Sequence, residues 1–196
     1  MARTEIRVSG FGGQGVILCG YLIGKSAALK AGKQATLNQS FGPEARGSAC
    51  SAQVIVSDEK ILYPYLTQPD ILICMSQEAY AKFEPELKKD GLLLVDEDLV
   101  KDAKSRDKIK LYKIPATRFA EEIGRKIVLN IVMLGFFTAV SGLLDKEAVR
   151  STVETSVPKG TEELNLKAFE KGFAYGSELL KSAPTAGKKK KAAVPA

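Results

Sequence analysis

Residues Val8–Leu18 read VSGFGGQGVIL, and the fold is decided there. Gly10, Gly12 and Gly15 have the spacing G-x-G-x-x-G, directly after Thr4–Ser9, whose alternation predicts a strand. Val16, Leu18, Cys19, Leu22, Ile23 and Ala27 then recur at helical spacing, so Gly15–Ala31 is expected to be a helix. Gly32 should end it in a left-handed cap. Lys33–Gln39 reads as a second strand. Strand, glycine turn, helix, strand is a βαβ unit, which predicts a parallel sheet with a right-handed crossover.

Further along lies the loop SFGPEARGS, residues 40–48, rich in Gly and Pro. Ala49–Ser57 is a predicted strand, and Asp58–Lys60 reads as a turn into Ile61–Tyr63, together an antiparallel hairpin. Asp70–Met75 and Gly91–Val95 are continuous apolar runs, as expected of strands covered on both faces. Between them Ser76 can cap a helix running to about Lys88. Lys110–Ile114 reads as a strand and Ile127–Val140 as a buried helix. Asp145 is placed to cap a helix over Lys146–Thr155, and Thr161 a last helix to about Lys181. The expected architecture is a three-layer α/β/α sandwich, a mostly parallel sheet with an antiparallel hairpin attached.

Composition narrows the function. The 196 residues are 45% hydrophobic and 27% charged, with no apolar run of transmembrane length and no signal-peptide core near the start. The cytoplasm is the expected address. Three cysteines, Cys19, Cys50 and Cys74, lie far apart, a spacing that argues against an iron–sulfur cluster, a zinc site or a disulfide framework. There is no histidine, which removes the commonest general base and metal ligand. The net charge is +6, but the four lysines of residues 182–196 account for four of those charges, so residues 1–181 carry +2. That tail reads as disordered. No nucleic-acid or membrane partner is expected.

The glycine turn leaves two readings open. A nicotinamide site needs an acid near the end of the second strand, and none occurs before Glu44. A free-standing nucleotide-dependent oxidoreductase is therefore the weaker alternative. The turn still favours an anion, because glycines let backbone N–H groups converge at the start of a helix. The second loop carries Glu44 and Arg46 between Gly42-Pro43 and Gly47, and should leave the same sheet edge as the first.

Both loops together, with PDILICMSQEAY, VLNIVMLG and EELNLKAFEKG, resemble the gamma subunit of the 2-oxoacid:ferredoxin oxidoreductase family over about residues 5–181. The resemblance implies oxidative decarboxylation of a 2-oxoacid onto coenzyme A with reduction of ferredoxin, reversibly. It points first to 2-oxoglutarate, and then to pyruvate or a branched-chain 2-oxoacid. It implies that residues 1–181 form the gamma-type domain and work only beside alpha and beta subunits, or alpha, beta and delta. Ferredoxin is then met indirectly. Thiamine diphosphate and iron–sulfur clusters would sit in those partners and not in this chain. By the same resemblance Gly10, Gly12, Gly13 and Gly15 form a coenzyme A or active-site-facing turn. Gln14 and Arg46 would reach ligand or partner, and Glu44 would orient Arg46. Asn130 and Asn165 also match the family pattern and are expected to make structural hydrogen bonds. Ser48 stands where many members carry a further glycine.

Overall fold

The computed structural model describes residues 3–40, 49–106 and 108–182. A six-stranded sheet has the order β2-β3-β1-β4-β5-β6, with β1 Arg3–Phe11, β2 Gln34–Ser40, β3 Ala49–Ser57, β4 Ile71–Cys74, β5 Leu92–Asp96 and β6 Lys110–Ile114. β1, β4, β5 and β6 pair in parallel. β3 alone runs the other way, antiparallel to both β1 and β2.

This departs from the sequence reading in two ways. β2 does run in the direction of β1, but β3 is inserted between them, so the first βαβ unit does not form adjacent strands. The antiparallel hairpin is β2 with β3, whereas Ile61–Tyr63 is not a strand. That stretch is tied down by side chains: Arg3 donates to the carbonyls of Tyr63 and Tyr65 at 3.3 and 3.2 Å, and Asn38 donates to Pro64 O at 2.5 Å. Short apolar runs bounded by turns look alike whether they pair or are strapped across a sheet.

The helices are α1 Val16–Leu29, α2 Gln77–Phe83, α3 Ala116–Ile123, α4 Leu129–Ser141, α5 Lys146–Ser156 and α6 Glu162–Ser182. Gly32, at φ 64, turns the chain out of α1 as expected. Ser76 and Asp145 accept hydrogen bonds from first-turn amides of α2 and α5. α2 stops at Phe83 and passes into a 3₁₀ turn, Glu84–Glu86, because Pro85 cannot continue an α-helix. α3 escapes the sequence reading, although Ala116, Phe119, Ala120 and Ile123 are spaced i, i+3, i+4, i+7.

The three layers are unequal. Alternate residues such as Ile6, Val8, Val54 and Ile73 face the core shared with α1, α3, α4, α5 and α6. Leu72, Cys74, Leu93 and Val95 face a smaller cluster closed by α2 and by Val100, Ala103 and Ile109. Both faces of β4 and β5 are thus covered, which is why Ile71–Cys74 and Leu92–Val95 are apolar throughout.

α4 and α6 touch backbone to backbone. A Cβ at Gly172 would lie 2.0 Å from Val132 O, and one at Gly135 2.1 Å from Phe169 O. Gly172 sits against Val132 and Phe136, and Gly176 one turn on sits against Ala139 and Val140, so the two helices run in the same direction and their N-terminal ends lie on the same side of the core.

Candidate functional site

The glycine turn is held from beneath by its own glutamine. The chain leaves β1 at Phe11 and reverses through a turn closed by Gln14 N donating to Phe11 O at 3.2 Å. Gly13 and Gly15 have φ of 95 and 73, conformations that glycine alone adopts cheaply. The Gln14 amide points into the fold. Its Oε1 accepts from Phe11 N at 2.6 Å and its Nε2 donates to Met75 O, at the end of β4, at 2.8 Å. Gly10 makes room for it: a Cβ there would stand 2.5 Å from Gln14 Oε1. The ligand- or partner-reaching role expected of Gln14 therefore becomes a positioning role, because both ends of its amide are engaged by backbone.

Gly15 is the N-cap of α1 and brings no side chain to cap it; the first helical bond is Cys19 N to Gly15 O, 2.9 Å. The start of α1 is thus a cluster of N–H groups carrying the positive end of the helix dipole.

Glu44 and Arg46 lie outside the described residues. Ser40 pairs with Ser51, while Gly10 and Phe11 pair with Cys50 and Ala49. Ser40 and Ala49 therefore both stand at the sheet rim from which the glycine turn projects. A cavity of about 360 Å³ lies at this rim between Gly12, Val16 and Cys50. Burial raises the Cys50 thiol, and raises Cys19 and Cys74 to about 12. Burial thus keeps these thiols protonated at neutral pH, unlike the thiolate of a nucleophilic cysteine.

A second cavity, of about 330 Å³, opens on the other side of the turn. Gly13 and Gly15 form one wall, Arg125 and Ile127 the rim, and Asn130 and Asn165 the polar floor. Asn130 Nδ2 donates to Gly15 O at 3.2 Å, and a Cβ on Gly15 would meet that nitrogen at 2.3 Å. Asn165 Nδ2 donates to Thr161 O and Oγ1 at 2.8 and 3.1 Å. Both asparagines make the structural hydrogen bonds expected of them, and both face the cavity as well. Arg125 was not signalled by the sequence, and Ile127, read there as the start of a buried helix, is exposed and lies before α4. The whole arrangement offers N–H donors, amides and an arginine without any histidine or reactive thiol. Such a set of groups can receive an anion.

The comparisons with known proteins agree with this geometry. The chain is 51% identical over 179 residues to the 2-oxoglutarate synthase subunit KorC of Methanocaldococcus jannaschii, covering 90% of this chain and 96% of that one. It matches the gamma subunit of a keto/oxoacid ferredoxin oxidoreductase from Geobacter sulfurreducens with a TM-score of 0.81 and 41% identity, over 90% of this chain and 97% of the other. A 2-oxoglutarate:ferredoxin oxidoreductase from Magnetococcus marinus, solved with 2-oxoglutarate, coenzyme A and succinyl-CoA bound, matches with a TM-score of 0.82 and 25% identity; 94% of this chain covers 32% of that chain. The family model described as pyruvate ferredoxin/flavodoxin oxidoreductase spans residues 5–175, and the chain belongs to that family.

Proposed function

We propose that the chain is the gamma subunit of a 2-oxoglutarate:ferredoxin oxidoreductase complex, which converts 2-oxoglutarate and coenzyme A to succinyl-CoA and carbon dioxide while reducing ferredoxin. The observation that carries this reading is the near end-to-end likeness to a 2-oxoglutarate synthase subunit, joined to an uncapped helix start on a glycine turn. In this reading the turn at Gly10–Gly15, with Arg46 oriented by Glu44, binds the phosphates of coenzyme A. Thiamine diphosphate and iron–sulfur clusters belong to the alpha and beta subunits, with ferredoxin beyond them and the complex in the cytoplasm. The same fold forms about a third of the longer Magnetococcus chain, which supports a chain that meets the remainder as a separate partner. Leu62, 84% exposed beside the exposed Tyr63 and Tyr65, supports a surface made for assembly. The same role in a pyruvate or branched-chain enzyme is the second reading, since nothing at the glycine turn recognises a 2-oxoacid side chain.

Reconstitution tests it. The purified chain should show no turnover alone, and should restore 2-oxoglutarate- and coenzyme A-dependent viologen reduction when mixed with its partner subunits. Arg46→Ala and Gly12→Val should each raise KM for coenzyme A about tenfold, the scale of one lost charge-assisted hydrogen bond. Unchanged coenzyme A kinetics in both would rule out the assignment.

A further inference from the structure

We infer that the outer edge of β2 docks a second copy of this chain, the two β2 strands pairing antiparallel about a two-fold axis at Leu37. An edge strand presents a row of unpaired N–H and C=O groups, which proteins commonly blunt with charge, proline, a bulge or a cover. Among the described residues β2 carries no such device. It ends the sheet order, its seven residues QATLNQS hold no charge and no proline, and its ladder to β3 runs without a bulge from Gln34 to Ser40. The opposite edge, β6, is guarded by Lys110 and Lys113.

The surroundings of β2 add an independent signal. Five of the seven large hydrophobic side chains exposed among the described residues belong to the two segments packed against this strand. Tyr21 and Leu29 stand on α1, where a Cβ at Gly24 would lie 4.0 Å from Ala35 Cβ. Leu62, Tyr63 and Tyr65 stand on the stretch that Asn38 holds through Pro64 O. Ala35 and Leu37 point to α1 and Asn38 to the other face, so apolar surface flanks the open edge on both sides of the sheet. On the α1 side a groove of about 260 Å³ lies between Tyr21, Ala28, Ala35 and Leu37. Its one charged side chain, Lys25, is held by Ser156 Oγ at 2.9 Å and lies 5.6 Å from the Tyr21 ring centre.

The strand that fits this edge is β2 itself, turned round. Antiparallel pairing about Leu37 sets residue 34 opposite 40, 35 opposite 39 and 36 opposite 38. Opposed residues share a face, so Leu37 meets its own copy on the α1 side and Thr36 meets Asn38 on the other. No like charges face each other and no polar side chain is set against Leu37. The contact is isologous and therefore closes, joining two six-stranded sheets into one and leaving neither β2 edge open. It holds whichever 2-oxoacid the complex takes.

Sedimentation equilibrium of the full chain tests this, and the chain should be dimeric at micromolar concentrations. Gln34 and Ser40 are both exposed and report the register. Gln34→Lys with Ser40→Lys puts like charges opposite each other twice and should weaken the dimer about tenfold. Gln34→Lys with Ser40→Glu puts opposite charges at the same places and should retain it, and added salt should narrow the difference. Thermal midpoints should stay together, because both variants change solvent-facing side chains. A monomeric full chain overturns the assignment, and so does a dimer that responds equally to both variants. If the full chain is monomeric and the like-charge variant no longer captures its partner subunits, the edge belongs to a strand of another subunit instead. The readout is mass and not turnover, so its failure leaves the coenzyme A reading untouched.

Discussion

Truncating Gln14 to alanine would strand two part-buried groups, the Phe11 amide and the Met75 carbonyl, which no other side chain hydrogen-bonds among the described residues. An unmet polar group of this kind costs about 1–3 kcal/mol. Gln14→Ala should therefore lose about 2 kcal/mol in urea unfolding. Its effect on coenzyme A should be secondary, through a loosened turn. From sequence the glycines were legible, since a positive φ at Gly13 and Gly15 is a local demand. The direction of Gln14 was not, because its anchor at Met75 lies 61 residues away in the chain. A polar residue in a glycine run looks outward-facing until the neighbouring strand is in place. The structural hydrogen bonds of Asn130 and Asn165 were anticipated.

Among the elements, the α4–α6 crossing is the least forgiving. The atoms a new Cβ would meet at Gly172 and Gly135 are main-chain oxygens, which cannot rotate away as a flexible side chain would. Gly172→Ala should thus cost about 3 kcal/mol, at the upper end of overpacking, read from the denaturant midpoint at unchanged m-value. Adding a methyl at exposed Gly160, where nothing lies within 4 Å, should cost less, through its φ of 84 alone. β4 and β5 were legible because burial on both faces leaves their sequences apolar. The caps at Ser76 and Asp145 were legible because capping is a contact of near neighbours in sequence. α3 was overlooked because its apolar stripe is only four residues set among charges. The insertion of β3 between β1 and β2 has no local signature, since pairing order is fixed by which edge closes best.

For the molecule as a whole, the described residues end at Ser182, and the lysine-rich stretch predicted to be disordered lies beyond them. In the reading proposed here it has no part in assembly or turnover. A chain ending at Ser182 should match the full chain in thermal midpoint, in complex formation by size-exclusion chromatography and in 2-oxoglutarate turnover, despite losing four positive charges. A drop in turnover with normal assembly would give those lysines a task in electron delivery or substrate capture.

Because Gly135 and Gly172 bring α4 and α6 into main-chain contact, the spacing between Asn130 and Asn165 is gauged by peptide geometry, like the jaws of a fixed calliper. Repacking of the core elsewhere cannot widen or narrow that gap. Any drift in what the chain accepts there has to come from exchanging the residues that face the opening.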